Sequence, residues 1–470
     1  MPARTGWFPQ TTFTTLEEHN VQLSGIVEIG EEIPGDTGQF FGSLTRDVLY
    51  ASAAERDARL AAWRAAYPLD TSNREFAGVE VIGLGLGLGL GLGQQGGGGA
   101  FALDLNFAAS DVLDARVTFT RASSATRFNS AGTLVTMTND QPRFDYNPST
   151  LAARGLLIEE ARANGLTYSA DFANAAWGLL GGTTLTSNTT AAPDGLTTAD
   201  TLTFTAAAGD RIYQNGAAAA GSVTFSVWAK TASGTKTFNL AIYDGATEQR
   251  SGDFTATTAW QRFTWTITIV SGSAQCSVYN NAGGTAGNLI VWGAQVEAGA
   301  FATSYIPTVA ATVTRATDIA SMTGTNFSSW YNQTEGTFVF EGDRNNANTT
   351  QSVLYQADSG SQLNSIETVT VSGVVLFYIV NAGSTEMGAN LGAAPAADVV
   401  FKVATAYKAN DGAASLNGGA AVTDGAITLP APNQLGIGVG QASTPINGHI
   451  KRLTFYNTRK TNAELATLST

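Results

Sequence analysis

The sequence predicts a mainly β protein: two β-sandwiches in tandem after a small α+β N-terminal region and a glycine-rich stalk. Three observations support this. From residue 101 onward, short segments of alternating apolar and polar residues recur between Gly and Asn turns. A run of alternating Gly and Leu separates them from a region of different composition. Only 13% of residues are charged, which favours sheet surfaces built from Thr, Ser and Asn.

Residues 1–82 form the N-terminal region, in which 21–29 reads as a strand and 46–67 as a helix. Ser52 and Glu55 have the spacing of a capping box, and Leu60, Trp63 and Tyr67 recur on one helical face. That aromatic face either packs within a small domain or docks onto another protein. The sequence leaves both open.

Residues 83–104 contain the alternating run, in which every Leu lies on one face of an extended chain. One interpretation is a flexible linker. The other is a homo-oligomer whose axis is lined by the Leu row, since Gly lets neighbouring backbones approach closely. The run is too short to span a membrane, which takes about 20 apolar residues. The predicted axis residues are Leu84, Leu86, Leu88, Leu90 and Leu92.

Charge and cysteine content exclude several classes of protein. The net charge is −13 and no basic stripe is present, so we expect neither nucleic-acid binding nor adhesion to anionic membranes. Membrane insertion is not expected either, because the Gly/Leu run is too short. Cys276 is the single cysteine, so no intrachain disulfide can form, which fits folding in a reducing cytoplasm. The N-terminus lacks the apolar core of a secretion signal.

The remaining chain is predicted to comprise a β-rich connector and the two sandwiches, over 105–155, 156–312 and 313–470. In the first sandwich, strands with alternating faces are expected at 223–229, 237–243, 263–269 and 289–296. In the second, strands are expected at 336–343, 374–380 and 399–407.

Several blocks of this sequence resemble known families. VTFTRASSATRFNSAG (117–132), FDYNP (144–148) and RGLLIEEARANGL (154–166) are similar to segments of fibre and spike proteins from tailed bacteriophages and gene-transfer agents. YSADFANAAW (168–177) and VWGAQVEAGAFATSYIPT (291–308) resemble the first and last strands of carbohydrate-binding-module jelly rolls. The closing GHIKRLTFYN (448–457) resembles a laminin-G or concanavalin-like jelly roll.

These resemblances imply a non-enzymatic virion fibre or head spike that assembles in the host cytoplasm. Its N-terminal region would bind other virion proteins, and its jelly rolls would attach to host-surface polysaccharide. The expected state is a homo-oligomer, a trimer for a fibre or a pentamer for a capsid-vertex spike. A purely structural decoration protein and a polysaccharide depolymerase are the alternatives. No cofactor is expected, although jelly rolls of these families often carry a structural calcium ion.

Four residues are predicted to contact sugar. Trp228 lies on the polar face of its strand, and Tyr243 has the same parity on the next strand. Arg262 and Gln295 fall on candidate neighbouring strands and could bond sugar hydroxyls. The alternative is that Trp228 belongs to a core or to an interface between chains.

No catalytic or metal-binding residues are predicted. His19 and His449 fall in different regions, and Cys276 lies within a strand, so no nucleophile has a base beside it. Glu159 and Glu160 are adjacent and point to opposite sides of a strand, unlike the paired carboxylates of glycosidases. Zinc-ligand spacing is absent from the sequence.

Overall fold

A computed structural model describes residues 101–270, 272–345, 351–441 and 444–470, together with four short strands nearer the N-terminus. The chain divides into two compact units, 1–94 and 95–470. In the first, β1 pairs with β4 and β2 with β3, all antiparallel. The predicted helix at 46–67 is wrong at its start, where Asp47–Leu49 form a strand paired with Gln22–Ser24. The rest of that helix and the Leu row from Leu84 to Leu92 lie outside the described residues, so both stay predictions. The four strands are β1 (Gln22–Ser24), β2 (Val27–Ile29), β3 (Gly42–Leu44) and β4 (Asp47–Leu49).

In the second unit, the described residues form thirty further strands and two short helices. Its first strands are β5 (Leu103–Asn106), β6 (Thr118–Thr120), β7 (Ala125–Phe128), β8 (Leu134–Met137), β9 (Phe144–Tyr146) and β10 (Ala153–Ile158). The central strands are β11 (Arg162–Asn164), β12 (Gly178–Leu180), β13 (Thr184–Thr190), β14 (Ala199–Phe204), β15 (Arg211–Ala217), β16 (Gly221–Lys230), β17 (Lys236–Tyr243), β18 (Glu248–Arg250), β19 (Phe254–Ala256), β20 (Gln261–Ile269), β21 (Ser273–Asn280), β22 (Gly287–Ala298) and β23 (Val313–Arg315). The last elements are β24 (Ile319–Thr323), α1 (Thr325–Ser328), β25 (Glu335–Gly342), β26 (Ser352–Asp358), β27 (Ser365–Val371), β28 (Val374–Asn381), β29 (Ser384–Ala393), β30 (Phe401–Lys408), β31 (Gly412–Leu416), β32 (Val422–Asp424), β33 (Gln434–Ile437), β34 (Gly448–Tyr456) and α2 (Asn462–Leu468).

The predicted mainly β class with two sandwiches is confirmed. In the middle sandwich, a six-stranded sheet (β12-β15-β21-β17-β18, with β19 beside β17) faces a five-stranded sheet (β13-β14-β22-β16-β20). Alternate residues such as Val223, Phe225 and Leu240 are fully buried between the two sheets. Burying an apolar side chain of this size contributes about 1.5–3 kcal/mol, so these alternating positions hold the sheets together.

The C-terminal sandwich is built from two distant parts of the chain. Its eight-stranded sheet runs β32-β31-β30-β25-β34-β10-β9, with β5 also beside β34. Its seven-stranded sheet runs β29-β28-β27-β26-β33-β24-β6. Leu105, Phe119 and Leu156, from strands before residue 160, share one core with Phe338 and Phe455.

The domain division therefore needs a correction at 105–155. This segment is not a connector, because β5, β6 and β9, with β10 after them, pair into the two sheets of the C-terminal sandwich. The middle sandwich is an insertion between β10 and β24. The chain enters it at β11 and leaves it at β23, and these two strands pair antiparallel. The insertion thus begins and ends at one place.

Buried ion pairs join the insertion to the sandwich that holds it. Arg143 pairs with Asp318 and lies 2.7 Å from Glu159, which Arg315 approaches to 2.9 Å. Arg121 lies 3.1 Å from Asp318. Burial alone would raise the pKa of Glu159, but the charges of Arg315 and Arg143 hold it well below its ordinary value. These five charged side chains hold together the two chain segments through which the inserted sandwich begins and ends.

One helix of the described part lies on the outer face of the eight-stranded sheet. Thr461 and Glu464 form a capping box at the start of α2, and Leu465 packs on Ala404 and Ala413. Among the described residues, neither helix has the length and apolar character needed to cross a membrane.

Candidate functional site

Three of the four predicted sugar-contacting residues lie together on the outer face of the five-stranded sheet. Trp228 is the cross-strand partner of Arg262, and Gln295 lies opposite Ser226 on the neighbouring strand. The predicted parity was therefore right. However, the β7–β8 hairpin packs over this face, and Trp228 is only 7% exposed. Its ring contacts Phe128 edge-on, with 5.6 Å between ring centres.

Arg262 and Gln295 serve to fix a covering segment. Arg262 donates to the Thr303 carbonyl and, at 2.9 Å, to Ser226 Oγ. Gln295 is fully buried, donates to Glu297 at 2.7 Å and accepts from the Ile306 amide at 2.7 Å. A sugar cannot reach this face while the covering segments are in place. The prediction of glycan contact at Trp228, Arg262 and Gln295 is thereby corrected: Trp228 and Gln295 are buried, and the half-buried Arg262 is bonded to the covering segment.

Tyr243 lies on the other sheet and is 38% exposed. It belongs to the outer face of the six-stranded sheet, where cross-strand pairing brings together residues from β15, β21, β17 and β18. Tyr243 pairs with both Gln275 and Glu248, and Tyr279 pairs with Arg211. We call this surface the tyrosine–arginine face, defined by Arg211, Tyr213, Tyr243, Glu248, Arg250 and Tyr279.

Tyr279 is at the centre of this face. The guanidinium of Arg250 stacks on its ring at 3.7 Å, and that of Arg211 lies 4.7 Å from the ring centre. The hydroxyl accepts from Arg211 Nη1 and donates to Glu248 Oε2. On the sheet, Ser277 and Ala241 lie between Tyr279 and Glu248. Their side chains are small, which leaves room for the Tyr279 hydroxyl to reach Glu248.

These contacts determine the protonation states of Tyr279 and Glu248. Burial, followed by the hydrogen bond to Glu248, raises the pKa of Tyr279 to about 12, so its hydroxyl stays protonated and can donate. Burial would raise the pKa of Glu248, but hydrogen bonds from Tyr279 and Arg250 outweigh it and lower the pKa. Glu248 is therefore an anion near neutral pH. Arg250 Nε donates to its Oε1 at 2.8 Å.

The rim of the face offers aromatic and amide groups. The half-buried ring of Tyr213 lies across Gly178 on the edge strand; a Cβ at that position would stand 2.6 Å from the ring. Any larger residue at 178 would therefore displace the ring. Gln275 Nε2 donates to Asn215 Oδ1 at 3.1 Å in an exposed hydrogen bond at this rim.

Two polar atoms near the centre have no partner in the part of the chain that the structure describes. They are Nε of Arg211 and Oδ1 of Asn239, and both are buried. Asn239 is 3% exposed, and its amide nitrogen donates to Asp253 at 2.8 Å. A buried polar group without a hydrogen bond costs about 1–3 kcal/mol.

Sequence reasoning missed most of this face, although a signal was present. In β15, Arg211 and Tyr213 alternate with buried Ile212, and in β21 Tyr279 follows buried Val278. The same parity argument that singled out Trp228 thus selects Arg211, Tyr213 and Tyr279. The alternation of side chains along a strand could not show which of the two outer sheet faces is covered by another segment of the chain.

A second concave surface lies on the eight-stranded sheet, between β34 and α2. It has a volume of about 250 Å³, and its lining includes Phe101, Arg452, Tyr456 and Leu468. Arg452 packs over the Phe101 ring at 4.9 Å, but Nε and Nη2 both donate to Asp104 at 2.7 Å. Its charge is therefore matched within the protein, whereas the two arginines of the tyrosine–arginine face share one carboxylate, that of Glu248.

Two groups with catalytic potential occupy structural positions. His449 is 2% exposed; its Nδ1 lies 2.8 Å from Asp343 and its Nε2 lies 3.0 Å from Asp145. Burial would lower the pKa of His449, but the charge of Asp343 outweighs it and raises the pKa to about 9. Both ring nitrogens are thus occupied. Cys276 is fully buried, and burial raises the pKa of its thiol.

The described residues contain no group of three or more His, Cys, Asp or Glu side chains placed to hold a metal ion. The structural calcium ion that the jelly-roll resemblance allows stays a prediction.

Neither a protein-family model nor a curated protein sequence matches the chain. Solved structures give partial likenesses. One is the carbohydrate-binding module CBM40 of a Ruminococcus gnavus sialidase bound to α2,3-sialyllactose: 18% identity over 31% of this chain and 86% of that one, TM-score 0.27. The CBM22-1 xylan-binding domain of Paenibacillus barcinonensis Xyn10C gives 11% identity over 29% and 90%, TM-score 0.23. Botulinum neurotoxin type C gives 12% identity over 32% and 39%, TM-score 0.26. Likenesses this distant do not indicate a shared function.

Proposed function

We propose that this protein is an adhesion protein whose middle sandwich binds glycans through the tyrosine–arginine face. The observation that carries the proposal is that aromatic rings, guanidinium groups and side-chain amides lie side by side on an outer sheet face that is open to solvent. The Arg250 side chain is 35% exposed and that of Glu248 is 30% exposed.

Each kind of group suits one part of a sugar. The C–H faces of a sugar ring pack on aromatic rings, and Tyr213 and Tyr243 supply such rings at opposite sides of the face. Sugar hydroxyls both donate and accept hydrogen bonds, which Gln275, Asn215 and Arg211 can return. A shallow site of this kind binds weakly, so several copies per particle would be needed for firm attachment.

The virion setting is part of the same proposal. It is supported by the resemblance of 117–166 to phage and gene-transfer-agent fibre and spike segments. In this proposal the N-terminal region attaches to other virion proteins, and the chain forms a homo-oligomer with the Leu row of 84–92 at its axis. The particle assembles in the host cytoplasm.

We further propose that the face binds without cleaving. Glycoside hydrolysis uses two carboxyl groups, one of which must be protonated at working pH. The tyrosine–arginine face holds one carboxylate, Glu248, and its hydrogen bonds from Tyr279 and Arg250 keep that group ionised. Incubating the full chain with a bound polysaccharide should therefore release no reducing sugar above a heat-inactivated control.

The test is binding of the full-length chain to an array of bacterial envelope polysaccharides. Replacing Tyr213 and Tyr243 by Ala should weaken binding about tenfold or more, because each ring would be a central contact. The matched control is Tyr378→Ala, which removes a half-buried tyrosine from β28 of the other sandwich. Equal binding by all three proteins would overturn the proposal for this face.

A further inference from the structure

We infer that the glycan taken by the tyrosine–arginine face carries a carboxylate, and that Arg211 and Arg250 hold it. This inference rests on the proposed function and adds the class of sugar. It follows from the hydrogen bonds that the face makes within itself and those that it leaves for a ligand.

The charged groups left over are donors. Arg211 donates through Nη1 to Tyr279, while its Nε is buried without a partner among the described residues. Arg250 donates through Nε to Glu248, and its two terminal nitrogens bond to no described residue. Both guanidinium groups lie against the Tyr279 ring, so the terminal nitrogens of Arg250 lie on the same part of the face as the guanidinium of Arg211.

The carboxylate oxygens of the face, by contrast, are engaged. Glu248 uses Oε1 for Arg250 and Oε2 for the Tyr279 hydroxyl. Asp253, at the edge of the face, accepts from Asn239 at 2.8 Å. A ligand that meets the two guanidinium groups must bring acceptors, and a carboxylate brings two in the planar arrangement that matches a guanidinium fork.

Charge points the same way. The centre of the face holds two guanidinium groups and one carboxylate, which leaves an excess positive charge on a chain whose net charge is −13. Arg452 is an example of an arginine whose charge is neutralised within this protein, because two of its nitrogens donate to Asp104. Nothing comparable among the described residues binds the second arginine of the face. A neutral sugar would leave that charge unmatched.

The experiment compares carboxylated polysaccharides with their own carboxyl-reduced forms, in which each acid group is a primary alcohol. Alginate, polygalacturonate, hyaluronate and polysialate are titrated against the full-length chain, at low and at physiological salt. The variants are Arg211→Gln, Arg250→Gln, Arg250→Lys and the Tyr213→Ala, Tyr243→Ala pair. The control is Arg452→Gln, since the side chain of Arg452 is 36% exposed and that of Arg250 is 35% exposed. Melting temperatures confirm that each variant is folded.

We expect at least one carboxylated polymer to bind, and its reduced form to bind about tenfold more weakly or worse, because charge-assisted bonds are lost. Arg250→Gln should weaken binding of the acidic polymer by a similar factor and weaken binding of the reduced polymer much less, with Arg250→Lys in between. Added salt should weaken binding of the acidic polymer selectively. Arg452→Gln should behave as wild type.

The contrary outcomes separate the two proposals. Equal affinity for acidic and reduced polymers, still abolished by the tyrosine pair, would overturn the carboxylate and leave glycan binding in place. The carboxylate is likewise overturned if Arg250→Gln weakens binding of both forms equally. Failure to bind any polymer, or binding that ignores the tyrosine pair, would overturn the function proposed for this face as well.

Discussion

Replacing Trp228 by Ala should destabilise the middle sandwich and not act on glycan binding directly. The side chain is 7% exposed and packs between its sheet and Phe128 of the β7–β8 hairpin. Removing a buried Trp costs about 3–5 kcal/mol through lost burial and the cavity that remains. For a sandwich of this size each kcal/mol shifts Tm by about 2–4 °C, so Tm should fall by roughly 10 °C.

Tyr243→Ala is the matched control for this prediction. Tyr243 is 38% exposed, and its hydroxyl donates to the nearby Gly245 carbonyl at 2.8 Å. Its loss should change stability by less than about 1 kcal/mol. Urea unfolding followed by fluorescence, with polysaccharide binding measured below the transition, separates the two variants. If Trp228→Ala loses binding while Tm holds, Trp228 touches sugar and the covered-face assignment is wrong.

The sandwich junction and His449 give three further predictions. A fragment of residues 317–470 should fail to fold cooperatively, because it lacks β5, β6, β9 and β10; a sharp melt by circular dichroism would contradict the shared core. Glu159→Gln should cost about 3–5 kcal/mol in urea unfolding, since Arg143 and Arg315 would lose their buried counter-charge; an unchanged midpoint would show that the pairs are not needed. The pKa of His449 is raised to about 9 in the fold, so its stabilisation is complete below its unfolded value near 6.5 and is lost as pH rises through about 9. Urea midpoints from pH 6 to 10 should fall in wild type more steeply than in His449→Asn, and parallel curves would refute the assignment.

The sequence predicted the strands well because each strand alternates sides. The expected strands at 223–229 and 237–243 correspond to Gly221–Lys230 and Lys236–Tyr243, with the buried and outward positions as predicted. The strand expected at 336–343 corresponds to Glu335–Gly342. The alternation of buried and outward side chains is a property of one strand, so it can be recognised in a single segment of the sequence.

What the sequence could not give is the pairing between distant segments. Nothing in the pattern of 103–158 shows that its strands complete a sandwich whose other strands begin after residue 318. For the same reason parity placed Trp228 on an outer face but could not show the hairpin above it. Tyr243 was selected by the same rule and is exposed, because no such hairpin of the described chain packs over its side.

The most direct test of the central claim is hydroxyl-radical footprinting of the full-length chain, with and without a polysaccharide that it binds. Oxidation of Tyr213 and Tyr243 is read by mass spectrometry and normalised to Tyr378, which corrects for radicals that the sugar consumes. We predict that the glycan protects Tyr213 and Tyr243 several-fold while Tyr378 is unaffected. Unchanged oxidation of both tyrosines at saturating glycan would show that the sugar binds elsewhere and would contradict the tyrosine–arginine face as the binding site.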